Sequence, residues 1–218
     1  MKMQAVFVAG LLALGASSSM AVTVVLTGTH INVIYDTADV GLFGAPTLTG
    51  DTLSWSPVAF MAKANGGPTV QSSQTQVKIV AHSGFNVVQV GYSEGGTYKK
   101  SGAGLVSATG TVDVAAESPA APAVNVSFTT GALASAPGGA SWAAAVAPIN
   151  FGPGTTRVSF LVSNTLKSFG SAAGPNMIAK TLPTLSVVVV AVPEPETYAM
   201  MLAGIAALGF IARRRSAA

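Results

Sequence analysis

Alternation of apolar and polar residues is the clearest pattern in the chain, and its two-residue period is typical of half-buried β-strands. Residues 124–129 read Val-Asn-Val-Ser-Phe-Thr, with three apolar side chains on one face and three polar ones on the other. Residues 88–93 and 157–163 show the same pattern. The other strand candidates are less regular and lie at 23–27, 29–35, 53–62, 76–82, 105–114 and 184–192.

Glycine and proline clusters separate the strand candidates and predict turns. They lie at 65–68, 94–96, 137–139 and 152–154. The alanine-rich segment 132–147 has room for one or two helical turns, which its glycines would interrupt. Short strands with turns between them predict an all-β body, a single antiparallel β-sandwich of jelly-roll or immunoglobulin-like type. The last strand, at 184–192, is almost continuous valine, and we expect it to be buried on both faces, and so central or covered rather than an edge.

The amino-terminal segment departs from this pattern. A short region with one lysine precedes an apolar run from Ala5 to Gly15, and Ser19-Met20-Ala21 follows with small residues at its first and third positions. This order predicts a helical secretory signal peptide at 1–21, which signal peptidase would remove after Ala21.

The carboxyl-terminal segment contains three different features in order. Pro193, Glu194 and Pro195 form a stiff, extended acidic motif. Residues 198–212 carry no charge and predict a helix of roughly 22 Å. A bilayer core is ~30 Å thick, so we expect these residues to form a short transmembrane helix. A basic stop follows, which the positive-inside bias would keep in the cytoplasm; it consists of Arg213, Arg214 and Arg215.

This arrangement resembles the PEP-CTERM sorting signal of Gram-negative bacteria. The resemblance implies that exosortase cuts the chain near Pro193, Glu194 and Pro195, while the precursor is transiently in the inner membrane. It also implies delivery to the cell surface or extracellular matrix, and an association with exopolysaccharide and biofilm. The chain then divides into a signal peptide (1–21), a β-sandwich body (22–192) and a sorting signal (193–218).

Charge is scarce in the predicted body. Residues 22–192 contain seven Lys or Arg and six Asp or Glu, for a net charge of +1, so the basic character of the whole chain comes mainly from its ends. This balance gives no reason to expect a nucleic-acid partner. The chain has no cysteine, which excludes disulfides and thiol chemistry.

Catalytic chemistry is poorly represented in the sequence. His30 and His82 lie far apart and outside any metal-ligand spacing, and neither is flanked by a recognisable motif. A hydrolase acting on matrix polymer would need paired carboxylates, for which six scattered acids give little support. We therefore expect no enzymatic activity and no cofactor.

Two weak binding candidates remain. Asp36, Asp39 and Asp51 lie within a short stretch and could supply oxygen ligands to Ca²⁺, although aspartate beside glycine and proline is more typical of turns. Trp142 is a candidate platform for a sugar ring, with core packing as the alternative.

These observations together predict an exported, non-catalytic structural component of the surface or extracellular matrix, associated with exopolysaccharide or biofilm. The alternative is a carbohydrate-binding or adhesive module of the matrix.

Overall fold

The computed structural model describes residues 21–170, 174–192 and 195–216. These residues form fourteen β-strands and one α-helix, together with two short 3₁₀ turns at Thr37–Asp39 and Gly41–Phe43. The elements are β1 (Thr23–Thr27), β2 (Ile31–Asp36), β3 (Pro46–Thr49), β4 (Thr52–Trp55), β5 (Met61–Ala64), β6 (Pro68–Ala81), β7 (Phe85–Lys100), β8 (Val106–Ser118), β9 (Val124–Thr129), β10 (Ala136–Ala145), β11 (Ile149–Asn150), β12 (Arg157–Phe169), β13 (Asn176–Lys180), β14 (Thr184–Ala191) and α1 (Pro195–Ser216).

The strands form two antiparallel sheets. The first has the order β1-β2-β6-β12-β8-β9, and the second has the order β3-β4-β14-β7-β13-β5, with β10 and β11 also paired to β7. The predicted all-β body with antiparallel sheets is confirmed. The strand orders do not distinguish a jelly-roll from an immunoglobulin-like arrangement, so that part stays a prediction.

Strand β7 is the central strand of the second sheet and pairs with other strands along both of its edges. One of its edges pairs with β14 along Phe85–Ser93 and with β13 along Gly96–Lys99. Its other edge pairs with β10 and then with β11. Each edge of β7 therefore holds two strands end to end, separated by a short irregular break.

The two sheets share one hydrophobic core, to which alternate residues of each strand contribute. In β12, Val158, Phe160 and Val162 are fully buried, as the alternation predicts. Across from them the second sheet contributes Leu185 and Trp55, among other side chains.

Strand β7 continues through Glu94-Gly95-Gly96, where the sequence predicts a turn. A Cβ atom at Gly96 would lie 1.9 Å from the Ala179 carbonyl oxygen and 2.8 Å from Trp142 Nε1. This glycine thus permits close packing inside a sheet. The turn predicted at 137–139 is also wrong, because these residues lie within β10. The same strand occupies much of the alanine-rich segment that had room for one or two helical turns.

Strand β14 is only partly central. Strand β4 pairs with Thr184–Ser186, and beyond that point β14 pairs with β7 alone. Val188 is 45% exposed and Val190 is 50% exposed, so the expectation that this strand is buried on both faces is wrong. The valine run alternates between a covered and an open face despite its uniform composition.

The carboxyl-terminal helix begins at Pro195, three residues before the predicted start at 198, and it continues to Ser216. Proline suits the first helical position because its missing N–H has no partner there. The three arginines extend the helix instead of ending it. Within the described residues, no helix has a stretch long and apolar enough to cross a membrane. The segment predicted as a transmembrane helix is therefore helical, but the membrane span is not supported, since its uncharged run is short and flanked by charge.

Replacement of Gly96 by alanine should destabilise the body, because the new methyl group would overlap the Ala179 carbonyl. Overpacking of this kind costs about 1–3 kcal/mol. The matched control is Gly138→Ala, where nothing lies within 4 Å of the added atom. Thermal unfolding should show a clearly lower Tm for Gly96→Ala only; equal Tm values would contradict the packing role.

Candidate functional site

The segment that carries the sorting motif leaves the body without a linker. Strand β14 ends at Ala191, and the Val192 N–H donates to the Gly84 carbonyl oxygen at 2.8 Å. Pro193 and Glu194 lie outside the described residues, and Pro195 opens α1. The described side chains of α1, at 199–208 and at Arg213, are exposed. The predicted signal peptide lies outside the described residues except for Ala21, which is exposed.

The outer face of the first sheet carries a shallow recess of about 500 Å³. Its floor runs over Gly110 and Phe128, and six hydroxyl side chains from β8, β9 and β12 line it. We call it the hydroxyl groove and define it by Thr109, Thr111, Ser127, Thr129, Ser163 and Thr165.

Strand register arranges these hydroxyls in two rows that cross the strands. Thr165 pairs with Thr109, which pairs with Thr129; in the second row Thr111 lies between the other two residues, Ser163 and Ser127. Neighbouring strands of a sheet lie ~4.8 Å apart, and residues two positions apart along a strand are separated by ~6.7 Å, so these backbone spacings set the repeat of the two rows. None of the six side chains is charged, so the groove presents only neutral donors and acceptors.

A second feature, the buried cluster, lies between the sheets and consists of Tyr92, Glu94, Asn164 and Lys180. The side chains of Glu94 and Lys180 are 0% exposed, and Lys180 Nζ is in direct contact with Glu94 Oε2. Asn164 Nδ2 donates to Glu94 Oε1 at 2.7 Å, and the Tyr92 hydroxyl donates to Glu94 Oε2 at 2.8 Å. The Glu94 carboxylate is therefore in contact with all three other groups.

Aromatic rings surround the amine of this cluster. Lys180 Nζ lies 4.3 Å from the centroid of the Phe43 ring and 5.3 Å from that of Phe60. Burial lowers the pKa of Lys180 to about 8, even though the charge and hydrogen bond of Glu94 act in the opposite direction. Burial and the neighbouring Glu94 raise the pKa of Tyr92 well above its usual value. Asn164 Oδ1 is buried and has no hydrogen-bond partner within the part of the chain that the structure describes.

A third polar group lies where β2 begins. His30 Nδ1 and Asp51 Oδ2 are 2.7 Å apart, and the His30 N–H donates to Asp51 Oδ1 at 2.8 Å. The fold brings the two histidines of the chain together, because the His82 N–H donates to the His30 carbonyl oxygen at 2.8 Å. His82 Nε2 meets Asn32 Oδ1 at 3.1 Å.

The three aspartates proposed for Ca²⁺ do not converge. Asp51 binds His30 at one end of β2, whereas Asp36 ends that strand and caps the 3₁₀ turn that contains Asp39. Among the described residues, no group of three or more His, Asp or Glu side chains could hold a metal ion. The Asp36 side chain accepts from the Ala38 N–H at 2.8 Å, as a turn-forming residue does.

Trp142 is not an exposed platform. It is 5% exposed and lies on the inner face, where its Nε1–H donates to the Ala179 carbonyl oxygen at 3.0 Å. The alternative of core packing is correct, because the indole fills the space left above Gly96.

Sequence reasoning missed both the hydroxyl groove and the buried cluster. The hydroxyls of the groove come from three segments that only the register aligns. Glu94 and Lys180 resemble surface charges, yet each continues a buried alternation, Tyr92-Glu94 in β7 and Ile178-Lys180 in β13. Their positions in this two-residue alternation are the signal that would have predicted both side chains to be buried.

Comparison with known proteins shows that the carboxyl-terminal segment of the chain is a protein-sorting signal. Residues 191–215 match the family model of the PEP-CTERM protein-sorting motif, consistent with an exosortase substrate. The motif implies export and a location at the cell surface or outside the cell. No curated protein matches the chain.

Removal of the His30 imidazole should raise the pKa of Asp51. Burial raises this pKa, but the hydrogen bonds from His30 and the charges of His30 and His82 outweigh burial and hold it below its usual value. Asp51 thus adds stability that is present above its unfolded pKa and is lost as the pH falls through its folded pKa. A carboxyl NMR titration of His30→Ala should show a higher Asp51 pKa. His82→Ala is the control and should shift it less; equal shifts would contradict this account.

Proposed function

We propose that the chain is an exported, non-catalytic surface or matrix protein whose body associates with neutral exopolysaccharide. The PEP-CTERM motif supports the export and processing route. The hydroxyl groove supports the association with polymer. In this proposal signal peptidase releases the amino-terminal segment after Ala21, and the precursor waits at the inner membrane of a Gram-negative bacterium until exosortase cuts it.

The single observation that carries the ligand class is the neutral double row of hydroxyls. Each serine or threonine hydroxyl donates one hydrogen bond and accepts two, as sugar hydroxyls do. Threonine methyl groups add apolar surface beside them. The groove is open and crosses three strands, so it suits an extended polymer better than a small enclosed ligand.

Self-association is the second candidate, and the exposed half of β14 favours it. Val188 and Val190 lie on the outer face, and β4 does not reach this part of the strand. An open, apolar strand edge is a site where another strand can pair. In this alternative the body is a structural matrix component that binds copies of itself.

Replacement of Thr109 and Thr165 by valine should weaken binding to the producing bacterium's exopolysaccharide by roughly tenfold or more, because each lost hydrogen bond contributes about 1 kcal/mol. Valine keeps the shape of threonine and removes only the hydroxyl. Co-sedimentation with increasing polymer gives the affinity. The control, Thr49→Val with Thr97→Val, changes the outer face of the other sheet.

Equal binding by both double variants would move the site away from the groove. An absence of binding by the unmodified protein would reject the association with polymer. Large species in sedimentation without polymer would then favour the self-associating alternative.

Replacement of Glu194 and Pro195 by alanine should block exosortase processing and leave the uncut precursor at the inner membrane. The substitution removes the charge and the backbone restriction of the motif. Cell fractionation and immunoblotting measure the location and length of the protein. Glu117→Ala with Pro148→Ala is the control for two similar changes in the body; normal surface delivery of the motif variant would contradict the processing route.

A further inference from the structure

We propose that Lys180 and Asn164 become joined by an amide bond between their side chains, formed within the folded body with Glu94 as the acid–base group. Lys180 belongs to β13 of the second sheet, and Asn164 belongs to β12 of the first. The bond would therefore link the two sheets covalently across the core.

The geometry supplies the three groups that such a reaction needs. The two oxygens of the Glu94 carboxylate contact the reacting groups separately, Oε2 the Lys180 amine and Oε1 the Asn164 amide, the latter at 2.7 Å. Groups held beside one another in a folded core react as if at very high concentration, because the entropy of bringing them together has already been lost.

The environment favours the nucleophilic form of the lysine. The amine is 0% exposed and lies against the Phe43 and Phe60 rings, so its charge is poorly solvated. Its lowered pKa of about 8 agrees with this placement. Transfer of its proton to Glu94 gives a neutral amine and a neutral carboxylic acid, which a site closed to solvent favours over two charges.

Asn164 is placed as the electrophile. Its Oδ1 is buried without a partner, whereas its Nδ2 faces Glu94. A half-turn of the amide places Oδ1 against Glu94, whose acid proton can then donate to it. That hydrogen bond draws electrons from Cγ and stabilises the negative charge that develops on Oδ1 during attack.

The step balances without any co-reactant. Lys180 Nζ forms a bond to Asn164 Cγ, and the Cγ–Nδ2 bond breaks. Glu94 takes one proton from the lysine ammonium before attack. After attack a second proton passes from the attacking nitrogen through Glu94 to the departing nitrogen, which leaves as ammonia, and Glu94 ends as the neutral acid. The protonated amine, the amide and the Glu94 carboxylate thus give one secondary amide, one ammonia and one neutral carboxylic acid, with no oxidation or reduction.

The test is mass spectrometry of the full protein purified from its exporting host. The folded protein should have a mass about 17 Da below the mass calculated for its processed sequence, because it has lost one ammonia. Trypsin should fail to cut after Lys180, and a branched peptide should join the segment containing Asn164 to that containing Lys180. Cleavage after Lys180 in the unmodified protein, with the full expected mass, would reject the bond and leave an ion pair.

Variants separate the roles of the three residues. Lys180→Arg and Asn164→Ala should each restore the full mass, and Glu94→Gln should do so while keeping both reacting groups. The matched control is Lys100→Arg, whose wild-type amine donates to the Leu133 carbonyl oxygen and should not affect the link. A complete bond in Glu94→Gln would overturn the role of Glu94, and circular dichroism of each variant shows whether it has folded.

Discussion

The pairing of β7 along both of its edges is the constraint on which the rest of the body depends. The strands on one edge break at Thr181–Pro183, where the N–H groups of Thr181 and Leu182 both donate to the Gly95 carbonyl oxygen. The break allows β13 to turn Lys180 inward opposite Gly96, and Trp142 from the other edge crosses the same glycine. The close packing at Gly95-Gly96 therefore positions the buried cluster as well as the core.

The alternation of apolar and polar residues predicted the strands that have one solvent-exposed face and one buried face. Strand β9 has the predicted bounds, and β12 begins where predicted but continues to Phe169. The prediction of turns failed at Gly96, where glycine serves close packing inside a sheet, and at Gly138, which lies at an irregularity within β10. Turn statistics treat glycine as a sign of backbone bending. Prediction also failed for the groove, since hydroxyls at 109–111, 127–129 and 163–165 become neighbours only through the register.

The sorting segment is tied closely to the body. Strand β14 pairs with β7 up to Ala191, and the hydrogen bond from Val192 to Gly84 anchors the chain immediately before the motif. A cut within the motif would leave every described strand pair intact, because no strand lies beyond Ala191 in the described chain. The body can therefore fold fully before processing and lose nothing structural afterwards.

The buried cluster raises an energetic question that the covalent link would answer. A buried ion pair stabilises a fold weakly, because desolvation of both charges offsets their attraction, and apolar residues of the same volume often do as well. The body has only six acids and seven bases, yet one of each lies wholly inside. An amide bond removes the charge of Lys180 from the core, and with Glu94 left protonated the core holds a neutral amide beside a neutral carboxylic acid. In a chain without cysteine, such a bond would join the two sheets in the way that a disulfide joins them in other exported proteins.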